Sequence, residues 1–72
     1  MTKMEYYVGR AQIVGVKACL MLMPDITKEY YIPKLINVAR KYAVSPDYYE
    51  SRLGFILMRY VMKEFKKDLG NI

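Results

Sequence analysis

Apolar residues recur along this chain at helical spacing, and prolines cut the pattern into three stretches. In the first, about residues 4–22, Ile13, Val16, Leu20 and Met23 form one stripe, which Val14, Ala18 and Met21 widen. Only Arg10, Gln12 and Lys17 are clearly polar there, so the pattern predicts a largely covered helix. Gly9, Gly15 and the β-branched Ile13, Val14 and Val16 favour a strand instead. No partner strand or hairpin signal follows, and the helical reading prevails.

Pro24-Asp25 and Ser45-Pro46-Asp47 mark the breaks, because proline cannot continue a helix and pushes its predecessor out of helical geometry. After the first break, Asp25 or Thr27 is placed to cap a short turn running to Tyr31. Pro33 then suits the first position of a new helix, where its missing N–H costs nothing. Leu35, Val38, Ala39 and Tyr42 are expected to be buried, with Lys34, Asn37, Arg40 and Lys41 outward. At the second break Ser45 is the predicted N-cap, Pro46 the first helical residue, and Asp47 and Glu50 complement the helix dipole. Tyr49, Leu53, Ile56, Leu57, Tyr60 and Val61 give an apolar face to a helix over 46–66. Gly54 interrupts it at an expected cost of about 1 kcal/mol relative to alanine. The expectation is an all-α, three- to four-helix domain over residues 1–72, with a helix-turn-helix at about 33–66.

Composition sharpens this picture. Seventy-two residues allow one small core, and the single cysteine, Cys19, excludes an internal disulfide and suits a small buried hydrophobe. The apolar fraction of 54%, with eight tyrosines and six methionines, exceeds what so small an interior holds. Some of these side chains therefore belong on a contact surface, which predicts a homodimer or a protein partner met through Tyr and Met. In the pairs Tyr6-Tyr7, Tyr30-Tyr31 and Tyr48-Tyr49, one ring of each is free to be buried while the other faces out. The apolar run from Ala11 to Met23 is too short to span a bilayer, so the expectation is a cytoplasmic protein with no membrane partner.

The inventory points away from catalysis. With no histidine, no second thiolate and no Gly-rich phosphate loop, the expectation is a non-enzyme without metal or cofactor. The Asp47 and Glu50 carboxylates read as helix-start charges and not as a catalytic pair. A net charge of +5 favours polyanions instead. A sharp turn between two helices demands a small residue at their crossing, which Ala39 supplies, with Val38, Tyr42, Val44, Tyr49 and Leu53 locking the pair. On the helix beyond the turn, Arg52, Arg59, Lys63 and Lys66 fall within about 60° of one another, flanked by Tyr48 and Phe55. Such a stripe places cations against phosphates, with Ser51, Tyr48 and Phe55 nearest the bases or the groove wall. It also fits the solvated face of any long helix.

Residues from Gly9 to Val61 resemble the C-terminal DNA-binding effector domain of the sporulation master response regulator and its small free-standing relatives. Ala39-Arg40-Lys41-Tyr42 stands where that family has Ala-Lys-Lys-Tyr at the end of the motif's first helix. Ser45 matches the second threonine of its turn, and Pro46 matches relatives that begin the next helix with proline. Glu50 matches a glutamate of the recognition helix, Leu53 and Leu57 its core isoleucines, and Gly9, Ile13 and Ala18 an upstream helix. The family places arginines where Tyr48, Ser51 and Gly54 stand, a histidine at Phe55 and an alanine at Arg52. The resemblance implies a helix-turn-helix regulator of transcription that binds double-stranded DNA, without carrying over a DNA sequence preference. The competing expectation is a degenerate motif that serves as a protein-interaction module or as an antagonist of a larger regulator.

Overall fold

The computed structural model describes the backbone of residues 1–69 and the side chains of residues 1–64. Within them the chain is three helices, α1 (Lys3–Leu22), α2 (Asp25–Ala43) and α3 (Tyr48–Leu69), without a strand. Thr2 starts α1 through a capping box: its hydroxyl accepts from the Glu5 amide, and the Glu5 carboxylate accepts from the Thr2 amide. Pro24 ends α1 after the single residue Met23 and flanks the start of α2, whose first residue Asp25 places negative charge in the first turn.

Two local expectations change. Pro33 lies inside α2 instead of opening a separate helix, so the chain between Asp25 and Ala43 is a single rod. Interior proline costs about 3 kcal/mol. Pro33 and Glu29, whose carbonyl loses its partner, are both exposed, so the freed carbonyl lies on the solvent side of α2, while Lys28 and Ile32 anchor the same stretch in the interior. The cap of α3 is Asp47, not Ser45. The Asp47 carboxylate accepts from the Tyr49 and Glu50 amides at 2.9 and 3.0 Å, a charge-assisted pair that a serine hydroxyl cannot match. Ser45 instead braces the turn, accepting from the Asp47 amide and donating to Glu50 Oε2 at 2.7 Å.

α3 is the central element, with α2 on one flank and α1 on the other. Its buried residues Leu53, Leu57 and Val61 meet Ile32 and Ala39 of α2 and Tyr6, Ile13 and Leu20 of α1 in one core. Ala39 is fully buried, as a close crossing requires. Gly54 is the other half of that crossing: a methyl built there would sit 2.3 Å from the Ala43 amide nitrogen and 2.7 Å from the Ala39 carbonyl oxygen. It is therefore a contact residue and not simply a weak point in the helix.

The far ends of α2 and α3 also meet. Lys28 Nζ lies 3.6 Å from Glu64 Oε2, both side chains buried. Measured from the Ala43/Gly54 contact, Lys28 is about 22 Å away along α2 and Glu64 about 15 Å along α3, at 1.5 Å per residue. A right-angle crossing would leave the two backbones about 27 Å apart, whereas an antiparallel pair brings them together. α2 and α3 thus form an antiparallel hairpin packed along its length, in a molecule measuring 40 × 20 × 17 Å.

α1 meets its expectation on one face only. Ile13 and Leu20 are buried and Val16 and Met23 half-buried, but Val14, Ala18 and Met21 are exposed, and so is Cys19. A single neighbouring helix covers a single stripe, so the rest of an apolar helix stays in water. The same reasoning applies to α2, where Val38 and Tyr42 are 42% and 40% exposed because α1 does not close over them. Val44, expected to lock the turn, is also exposed. Among the tyrosine pairs, Tyr6/Tyr7 and Tyr48/Tyr49 divide into an inner and an outer ring, while Tyr30 and Tyr31 both face out. Among the described residues, no helix is long and apolar enough to cross a membrane.

Candidate nucleic-acid interface

The outer face of α3 is uncovered. Tyr48 and Phe55 are 69% and 64% exposed, and Arg52, Arg59 and Lys63 are exposed beside them. Tyr48, Ser51, Arg52, Phe55, Ile56 and Arg59 line one shallow depression of about 380 Å³, so most of the residues singled out from the sequence share a site. The helix runs unbroken past Gly54, which keeps the cations on a straight ridge. The side chain of Lys66 lies outside the described residues. The Ser51 hydroxyl, at the border of this depression, donates to the Ala43 carbonyl at 3.1 Å and ties the start of α3 to the end of α2.

Tyr6, the innermost ring of α1, links this ridge to a second row of cations. Arg52 Nε donates to the Tyr6 hydroxyl at 3.3 Å, while the Arg10 guanidinium lies 5.8 Å from the same ring. Two turns further along, Lys17 Nζ sits 4.7 Å from the Tyr60 ring of α3. Lys3, Arg10 and Lys17 are spaced by seven and so fall on one side of α1. That side adjoins the ridge of α3, and the two rows form one basic face. Spacing along a single helix could not show this pairing, since Arg10 and Lys17 looked like isolated polar positions in an apolar segment. The heptad interval from Lys3 to Lys17 was the available signal.

Charge is segregated around this face. Among the described residues, no carboxylate lies within ion-pair distance of Arg10, Lys17, Arg52, Arg59 or Lys63. Glu5 lines the opposite side of α1, Glu50 is bonded to Ser45, and Glu64 is buried against Lys28. Asp47, at the edge of the face, is met by the Met1 ammonium at 2.6 Å. That contact and the amides of Glu50 and Tyr49 hold the Asp47 carboxyl below its ordinary range, and Asp47 in turn raises the ammonium. The Tyr6 hydroxyl, with Tyr48 nearby, raises the Arg52 guanidinium further above an already high value, so the cation persists at any working pH.

A second feature lies on the opposite side of the molecule. α1 and α2 diverge there and leave an open groove of about 480 Å³, floored by Ile13, Leu53 and Leu57 and rimmed by Val8, Val38 and Tyr42. Its lining is apolar apart from Glu5 and Gln12, which suits hydrophobic side chains and not phosphate. Among the described residues, no three His, Cys, Asp or Glu side chains gather as a metal site would require. Compared with known protein families, curated proteins and solved structures, the chain shows no significant match to any.

Proposed function

We propose that this chain is a small nucleic-acid-binding module that meets double-stranded DNA through the joint basic face of α1 and α3. The observation that carries the reading is the segregation of charge: Lys3, Arg10 and Lys17 lie on α1 and Arg52, Arg59 and Lys63 on the adjoining α3, and among the described residues only Asp47, paired with the Met1 ammonium, brings a carboxylate to the edge of that face. Two rows of cations on a rigid scaffold favour a polyanion through counterion release, a force that needs no base-specific contact. Tyr48 and Phe55, exposed between the cations, supply flat apolar surface for sugars or bases.

Sequence-selective reading by a helix-turn-helix, and a role in transcription, are the finer form of this proposal and rest on the family resemblance. The antiparallel packing of α2 on α3 and the engagement of Ser51 favour contact along the side of α3 over insertion of its first turn. Backbone binding with weak base preference is the form the geometry supports best.

The test is a titration of fluorescent duplex DNA at several salt concentrations. Wild type should bind with a steep negative dependence of log K on log salt, and each phosphate contact removed should flatten that slope by about 0.9. Arg10→Ala with Lys17→Ala should weaken binding as Arg52→Ala with Arg59→Ala does, since both pairs belong to one face. No binding at low salt, or loss confined to the α3 pair, would refute the joint face. A second reading, a protein-interaction module or antagonist, is favoured by the apolar groove between α1 and α2. It predicts a stable protein complex that forms without nucleic acid.

A further inference from the structure

We infer that the outward side of α1 is the interface of a two-fold homodimer in which two copies of the helix pack antiparallel. α1 carries two apolar seams. The inner one is the stripe against α3, and the outer one, almost diametrically opposite, is Met4, Val8, Ala11, Gly15, Ala18 and Leu22. The outer intervals alternate four and three, the spacing that keeps a seam facing a partner helix along its whole length. All six residues are exposed, Met4 and Leu22 by 73% and 86%.

The order of sizes along this seam identifies the occupant. Laid antiparallel about residue 13, Met4 faces Leu22 of the partner subunit, Val8 faces Ala18 of the partner subunit, and Ala11 faces Gly15 of the partner subunit. Large meets large at the ends and small meets small at the centre, where the axes come closest. A surface complementary to itself under a two-fold rotation is what an isologous dimer requires. A parallel pair would stack Gly15 on Gly15 and leave a gap there.

Charge and area agree. Between Met4 and Leu22 the positions flanking the seam are Tyr7, Val14 and Met21 on one side and Glu5, Gln12 and Cys19 on the other. No like charges therefore face each other across the axis. Met4, Tyr7, Val8, Val14, Met21 and Leu22 each expose half or more of their surface, a continuous apolar area of the order that a standard interface of ~800 Å² per partner needs. Gly15 has open space where a Cβ would point, so nothing in the monomer calls for glycine there, whereas a close-approaching helix does.

The dimer stands independently of the nucleic-acid proposal but would extend it. The two-fold axis runs perpendicular to the paired helices, so a side that flanks the seam on one copy falls on the same side in the other. The basic rows of both subunits would then share one surface, doubling the cations available to a single polyanion.

The test is light scattering across a concentration series, without nucleic acid, together with cross-linking. Wild type should be a dimer, and Gly15→Glu, which sets two carboxylates close together across the axis, should be a monomer with unchanged helical circular dichroism. In a Cys19→Ser background, an equimolar mixture of Met4→Cys and Leu22→Cys chains should form the mixed disulfide in preference to either like pair. A monomeric wild type, a dimer that survives Gly15→Glu, or a Met4→Cys like pair as the main product would each overturn the proposal. A dimer lost on Val38→Glu but not on Gly15→Glu would place the contact in the α1/α2 groove and overturn it as well. Loss of DNA binding by the Arg52/Arg59 variant with the dimer intact would leave this inference untouched.

Discussion

Replacing each described glycine by alanine should give three different outcomes, ordered by what the new methyl meets. Gly9, Gly15 and Gly54 all lie inside helices, where alanine is favoured by about 1 kcal/mol before tertiary contacts enter. At Gly15 nothing lies within 4 Å of the added Cβ, so the full gain should appear. At Gly9 the obstacle is the Leu53 side chain, its Cδ1 2.7 Å away; rotation or a small shift relieves it, and the change should be near neutral. At Gly54 the obstacles are the Ala43 nitrogen, the Ala39 oxygen and the Ala43 Cα, all backbone and all within 2.8 Å. No rotamer change relieves that overlap, and carbon contacts settle near 3.5–4.0 Å, so α2 must move away from α3 by about 1 Å. Such a shift loosens the packing between Leu20, Ala39, Leu57 and Val61, and overpacking of this kind costs about 1–3 kcal/mol. For a chain of this length, with total stability of about 4–10 kcal/mol, that loss is a large fraction. Urea unfolding followed by circular dichroism, at a concentration where scattering shows only monomer, reads all three variants on one scale. The Gly54→Ala midpoint should fall with m little changed, and that of Gly15→Ala should rise. A Gly54→Ala protein as stable as wild type would refute the close crossing.

Three further outcomes follow from individual contacts. Lys28→Met should cost about 3–5 kcal/mol by leaving Glu64 buried without its partner, while the double variant Lys28→Met/Glu64→Leu should recover most of that loss; equal losses in single and double variants would contradict the pairing. Thr2→Ala should remove the capping box at the start of α1 and cost about 1 kcal/mol, with amide exchange faster in the first turn of α1 and unchanged in α2; uniform loss of protection would argue against a local cap. The depressed Asp47 carboxyl contributes stability above its unfolded value of 3.8, lost as pH falls through the lower folded value, and the raised Met1 ammonium contributes below 8.0, lost as pH rises through its higher folded value. The difference in thermal midpoint between wild type and Asp47→Asn should therefore be flat between those limits and shrink on both sides, and a difference that persists unchanged at either extreme would exclude the ion pair as its source.

Much of the architecture was legible because it depends on neighbours in the chain. Pro24 and the turn at residues 45–47 divide the helices through backbone sterics alone, and the buried stripes of α1 and α3 follow from 3.6-residue periodicity. The exposed ridge of Tyr48, Arg52, Phe55, Arg59 and Lys63 could be read in the same way, since residues on one helix share a face whatever the helix packs against.

What required the tertiary structure were the relations between helices. Pro33 continues a helix because packing by Ile32 and Lys28 outweighs a local penalty, a balance that no window of sequence contains. Gly54 looked like a defect and is a crossing point, because its environment is the backbone of α2. Arg10 and Lys17 joined the basic face only once α1 lay alongside α3, and Lys28 found Glu64 only once α2 folded back antiparallel. Periodicity determines which side of a helix is apolar. Whether that side is covered depends on how many other helices reach it, and here α3 is flanked by two while α1 is covered by one.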